Sequence, residues 1–90
     1  MDLFEIKNKV INVLSEMFAD MNIGTEVFEL VDLADDLGMD SLTFITVIVK
    51  LEALFNITFP DDMLLMDNFK TVNNIVTTIS NEINHMSSKR

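Results

Sequence analysis

Apolar residues near the start of the chain recur every three or four places: Leu3, Ile6, Val10, Val13, Leu14 and Met17. That rhythm puts them on one face and predicts an amphipathic helix over residues 2–18. Asp2 and Glu5 suit its N-terminal end, where the helix dipole favours negative charge. The rhythm then breaks. Residues 19–40 read as one long connection, a length that is unusual without structure of its own. It carries Ile23, Val27, Phe28, Leu30, Val31, Leu33 and Leu37. The connection is therefore expected to pack onto the core along its length, with a helical turn near residues 28–34. Gly24 and Gly38 are its expected points of positive φ.

The helical rhythm returns over residues 41–55, in two stripes. Phe44, Val47, Ile48, Leu51, Leu54 and Phe55 are expected to face the core. Leu42, Ile45, Val49 and Ala53 form a second stripe, offset around the same helix. A helix apolar on nearly all sides is usually buried, but a small bundle has few ways to surround one. The second stripe is either covered by the long loop or open to a partner. Asn56 and the Phe59-Pro60 pair end this element. Pro60 suits the start of a short third helix, Asp61 to Met66. A last helix is expected over Thr71 to Asn84, with Val72, Ile75, Val76, Ile79 and Ile83 inward. The polar run from His85 to Arg90 reads as a fraying tail, which divides the chain into a domain over 1–84 and a tail over 85–90.

Composition narrows the function. The chain has 90 residues, enough for one core and no second. Fifteen acidic residues against six basic ones give a formal charge of −9. That balance argues against nucleic acid or an anionic membrane as partner and favours basic surfaces. Without cysteine there is no disulfide, thiolate metal site or thiol nucleophile. No basic region followed by an apolar stretch opens the chain, and the uncharged run Ser41 to Val49 is too short to span a bilayer. The expectation is a soluble, cytoplasmic monomer. The seven Met and seven Phe read as core filling.

The chemistry inventory is short. His85 is the only imidazole, and it sits in the expected tail. No His, Lys or Cys stands near Ser41, and "GMDSL" does not fit the elbow pattern of serine hydrolases. Asp32, Asp35, Asp36 and Asp40 miss the alternating spacing of a calcium loop and read as a solvated acidic loop, with no metal. That leaves "DSL". Asp40 can cap the following helix. Ser41 then lies in its first turn, where free amides and the dipole favour an anion. A phosphate esterified to this hydroxyl would be well placed, and needs no local base if another enzyme performs the transfer.

"ADDLGMDSLTFITVIVKLEALFNITFP" resembles the central segment of acyl and peptidyl carrier proteins, whose signature is D-x-L-G-x-D-S-L. Asp36, Leu37, Gly38, Asp40, Ser41 and Leu42 match it position by position. The likeness continues through Leu51, Glu52 and Phe55, the apolar-Pro-Asp start of the third helix and "FKTVNNIV". It covers essentially the whole chain. The resemblance implies an all-α four-helix bundle with a long first loop and a short third helix. It implies no enzyme but a carrier, with 4′-phosphopantetheine attached to Ser41 from coenzyme A by a phosphopantetheinyl transferase. The arm's thiol would hold acyl or aminoacyl groups as thioesters, which is how a chain without cysteine could do thiol chemistry. Loading would fall to an adenylating enzyme or acyltransferase, and use to downstream synthase, condensing or tailoring enzymes. Asp40 would assist at the attachment site. Asp35, Asp36, Leu42, Ile45, Val49 and Glu52 would meet partners.

One departure from the family refines this. Carriers of fatty acid synthesis commonly bear several carboxylates along the second helix. Here Thr43, Thr46 and Ala53 stand at such places, with Glu52 acidic and Lys50 basic. The runs "SLTFI" and "FPDDMLL" resemble those of stand-alone carriers serving adenylating or polyketide-type enzymes. The expectation is therefore a carrier of a specialised polyketide, nonribosomal peptide or related acyl pathway. A general fatty acid carrier is the alternative. From another class, an unmodified helical adaptor could use the second stripe alone.

Overall fold

Asp2 starts the first helix: its carboxylate accepts the Glu5 amide at 2.8 Å, satisfying one of the donors that a helix start leaves unpaired. The computed structural model describes residues 2–21 and 23–87. Helix α1 runs Leu3–Met17, α2 runs Ser41–Phe55 and α3 runs Val72–Ser87. Between α1 and α2 lie two single turns of 3₁₀ helix, Ala19–Met21 and Thr25–Glu29. Two more, Asp61–Met63 and Met66–Phe69, lie between α2 and α3. No strand occurs among the described residues.

Among the described residues the fold is all-helical, with three α-helices where the expectation is four helices. The segment from Asp61 begins after Pro60, as expected, but it stays helical only to Met63. Leu64 turns out of helical geometry at φ −85° and ψ 57°. The Asn68 side-chain amide then donates to the Met63 carbonyl at 3.0 Å, closing the segment with a side-chain bond where an α-helix would use backbone. The last helix begins one residue late because Thr71 acts as its cap: its hydroxyl accepts the Asn74 amide at 3.0 Å. It extends through Ser87, past the expected end at Asn84, so the expected tail opens as helix; residues 88–90 lie outside the described part.

α1 packs against both α2 and α3. Its buried face is Ile6, Val10, Ile11, Val13 and Leu14, a little rotated from the expected one: Ile11 is in and Leu3 is out. α2 contributes Val47, Ile48, Leu51 and Phe55, and α3 contributes Val72, Ile75, Val76 and Ile79. Leu54, expected inward, is largely exposed. The connections complete the core. Phe28, Leu33 and Met39 enter from the first, and Ile57, Phe59 and Phe69 from the second. Leu30 and Val27 stay exposed, so the first connection is anchored at points rather than along its length. Phe44, three residues after Ser41, meets the fully buried Phe69 edge-on at 5.5 Å between ring centres, and Phe69 meets Phe59 at 5.3 Å. These aromatic pairs tie the first turn of α2 to the second connection. Truncating Phe69 to alanine would cost about 3–5 kcal/mol through the cavity left behind.

Candidate attachment site

Ser41 is the first residue of α2 and is exposed. Asp40 precedes it in extended backbone, φ −95° and ψ −178°, the geometry of a helix cap. Its carboxylate Oδ1 accepts the Thr43 amide at 2.9 Å, and its carbonyl accepts the Phe44 amide at 2.8 Å. The Thr43 amide bond holds the Asp40 carboxyl below the ordinary aspartate value, because it stabilises the charged form. Ser41 stands in this first turn, at the positive end of the helix dipole, where an anion is favoured. An exposed hydroxyl at that end is chemically suited to carry a phosphodiester, whose charge the dipole would favour.

The approach to Ser41 is a built turn. Asp32 Oδ1 accepts the amides of Ala34 and Asp35, at 2.9 and 2.8 Å, and Asp36 Oδ2 accepts the Asp32 amide at 2.8 Å. The Asp35 amide first, with the Lys70 ammonium and the Ala34 amide, holds the Asp32 carboxyl below its ordinary value. The turn closes with Gly38 donating to the Ala34 carbonyl at 3.1 Å and Met39 to the Leu33 carbonyl at 2.9 Å. Gly38 has φ +71°, as expected, whereas Gly24 has φ −67° and needs no glycine freedom. Met39 is buried and pins the chain one residue before the cap.

Comparison with known proteins agrees with this geometry. A family model described as phosphopantetheine attachment site matches residues 12–79. An acyl carrier protein of Amoebophilus asiaticus is 35% identical over 72 residues, 80% of this chain and 85% of that protein. An acyl carrier protein of Phytoplasma australiense is 34% identical over 83 residues, 92% of this chain and 99% of that one. A D-alanyl carrier protein of Streptococcus suis is 30% identical over 77 residues, 83% and 91% of the two chains. The chain belongs to the carrier proteins of the phosphopantetheine-attachment family. It is a carrier and not a catalyst, and its prosthetic group is covalently attached 4′-phosphopantetheine.

The remaining expected residues of the carrier fall into three groups. Leu42, Ile45 and Val49 are open, at 75, 56 and 58% exposure, so the loop does not cover the second stripe. Asp35 is exposed beside Lys70, while the Asp36 carboxylate is taken by the Asp32 amide. Glu52 has a task within the fold that its place in the sequence does not show. Its carboxylate accepts the Phe59 amide at 2.9 Å, and its carbonyl accepts the Ile57 amide at 3.1 Å. It clasps the chain reversal after α2. Sequence reasoning passed over Asp32 as an organiser of the turn, Met39 as an anchor and Lys70, whereas Asn56 ends α2 as expected, at φ 55°. Asn tolerates the left-handed geometry that such a helix end needs. No helix among the described residues is long and apolar enough to cross a membrane.

Proposed function

We propose that Ser41 is the attachment residue, and that the carrier serves a specialised acyl or aminoacyl pathway. The observation that supports Ser41 most is its exposed hydroxyl at the capped N-terminus of α2, inside the matched region. In the transfer, Ser41 Oγ attacks the phosphorus of the phosphopantetheine phosphate in coenzyme A. A phosphodiester forms, the pyrophosphate bond breaks, and adenosine 3′,5′-bisphosphate leaves. The proton from Oγ goes to a base of the transferase. Asp40 is a weak base because the Thr43 amide stabilises its carboxylate and so lowers its affinity for a proton. Its part is to fix the helix start and to offer a negative charge to a basic transferase.

Partners then meet the exposed Leu42, Ile45 and Val49 face, with Asp35, Asp36 and Asp40 steering their approach. Three features favour a specialised pathway over general fatty acid synthesis: Thr43 and Thr46 in place of carboxylates, the inward use of Glu52, and a similarity that reaches a D-alanyl carrier as well as acyl carriers. The unmodified adaptor is not favoured, because the family match is to an attachment domain. The reading is tested by mapping. After reaction with coenzyme A and a broad-specificity transferase, the proteolytic peptide spanning Ser41 carries the arm. The holo protein is then offered to adenylating enzymes and to acyltransferases. Loading by a fatty-acid-type malonyl transferase alone would favour the alternative pathway.

A further inference from the structure

Lys70 lies one residue before the cap of α3 and reaches back to the turn that leads into Ser41. Its carbonyl accepts the Leu33 amide at 2.6 Å. Its ammonium stands 3.7 Å from Asp32 Oδ2 and 3.9 Å from Asp35 Oδ2. Leu33 is fully buried, and its own carbonyl takes the Met39 amide at 2.9 Å. Met39 is followed directly by Asp40 and Ser41. One residue of the second connection thus grips both the backbone and the side chains of the turn that delivers the serine. The Lys70 side chain is 32% exposed, so its ion pairs add little to global stability. Their leverage is local, on a surface turn whose other bonds are mostly internal to it.

We propose that Lys70 is a positioning residue for modification of Ser41: it holds the 32–39 turn in the form that the transferase engages. This rests on the reading of Ser41 as the attachment residue. A partner that binds one form of a segment sees its apparent affinity fall with the fraction of molecules in that form. Loss of the ammonium lowers that fraction. The Michaelis constant for the carrier then rises, while kcat holds, because the bound complex is unchanged.

Charge steering makes the opposite forecast for the same substitution. Lys70→Gln makes an acidic carrier more acidic, so steering alone would improve engagement of a basic transferase. Asp32→Asn would worsen it. Under positioning, both substitutions act in the same direction, because each breaks the same bridge. The double variant is then no worse than Lys70→Gln alone, which already removes the ion pairs to Asp32 and Asp35.

The experiment is steady-state transfer from coenzyme A to the full chain by a broad-specificity transferase, with amide exchange measured on the same proteins. Lys70→Gln and Asp32→Asn should each raise KM by roughly two- to fivefold at unchanged kcat, the range an exposed ion-pair network can deliver. Lys70→Arg should match the parent, and the Met39 amide should exchange faster in Lys70→Gln than in Lys70→Arg. A KM for Lys70→Gln at or below the parent value overturns the proposal. So does a loss confined to kcat, or Met39 exchange that is the same in Gln and Arg variants. If the parent itself takes no phosphopantetheine on Ser41, the attachment reading fails instead, and the exchange comparison still judges the Lys70 tether.

Discussion

Glu52 Oε2 accepts the Phe59 amide at 2.9 Å, joining the last turn of α2 to the chain seven residues on. Between them the backbone reverses through Asn56 in the left-handed region, and Phe59 is delivered into the core beside Phe69. Removal of the carboxylate leaves a partly buried amide without its acceptor. Glu52→Ala should therefore cost about 1–3 kcal/mol in chemical denaturation. Glu52→Gln, which keeps an acceptor oxygen, should cost less than half of that. Equal losses for the two variants would mean that the hydrogen bond is not what Glu52 contributes.

The open stripe on α2 separates binding from folding. Ile45 and Val49 are more than half exposed. Ile45→Glu should then shift stability by no more than about 0.5 kcal/mol. In the same variant, affinity for a loading enzyme should fall by about 2 kcal/mol or more, as loss of a central interface anchor does. Thermal melts and calorimetric titration of the holo carrier give the two numbers. A large drop in melting temperature, or binding that does not change, would contradict the assignment of this face.

Asp40 has two roles that one substitution can part. Asn caps helices about as well as Asp, so Asp40→Asn should leave the melting temperature close to the parent's. The lost charge should slow phosphopantetheine transfer at low salt, and the gap between the two proteins should narrow as salt rises. Transfer rates that coincide at low salt would show that the charge does nothing for the transferase.

Asp32 and Asp40 both have folded pKa values below the ordinary one, through the amides they accept. A depressed folded pKa means that the charged form is bonded in the fold. The stability it contributes is present above the unfolded value, about 3.9. That contribution is lost as pH falls through the lower folded values. Melting temperature should therefore drop as pH is lowered below about 4, and the Asp32→Asn, Asp40→Asn double variant should show a shallower acid limb. An acid limb as steep in the double variant as in the parent would place the sensitivity elsewhere.

The two glycines should respond in opposite ways to alanine. Gly38 has φ +71°, so Gly38→Ala should destabilise by about 1–2 kcal/mol although nothing crowds the new methyl group. Gly24 has an ordinary φ, and its new Cβ would come 2.8 Å from Glu26 Oε1, the mobile end of a side chain that can swing away. Gly24→Ala should be neutral or stabilising by up to about 1 kcal/mol. Denaturation of the two variants side by side decides it.

The start, period and second stripe of α2 are legible in the sequence because all three are local, whereas the exposure of that stripe depends on where the long loop lies. Asp40 bonds three residues ahead, and Leu42, Ile45 and Val49 need no distant partner to be read as one face. Helical rhythm was a poorer guide between Asp61 and Met66. Four consecutive apolar residues there fit a helix by pattern, while Asn68 closes the segment from outside it. The scaffold beneath Ser41 was hidden for a related reason. Lys70 meets Asp32, Leu33 and Asp35 across more than thirty residues of chain, and no spacing rule joins them. The bond from Glu52 to the chain that folds back onto it is hidden for the same reason: a carboxylate on a helix looks free until that chain is placed.

The attachment residue is the claim on which the rest depends, and intact mass measures it directly. The parent and Ser41→Ala proteins are each weighed before and after reaction with coenzyme A and a broad-specificity transferase. Asp40 remains to cap α2 in the variant, so the loss of stability should stay within about 1 kcal/mol and both proteins should be folded. The parent should gain the mass of one phosphopantetheine, and Ser41→Ala should gain none. A parent that stays unmodified, or an alanine variant that still takes up the arm, would contradict the account.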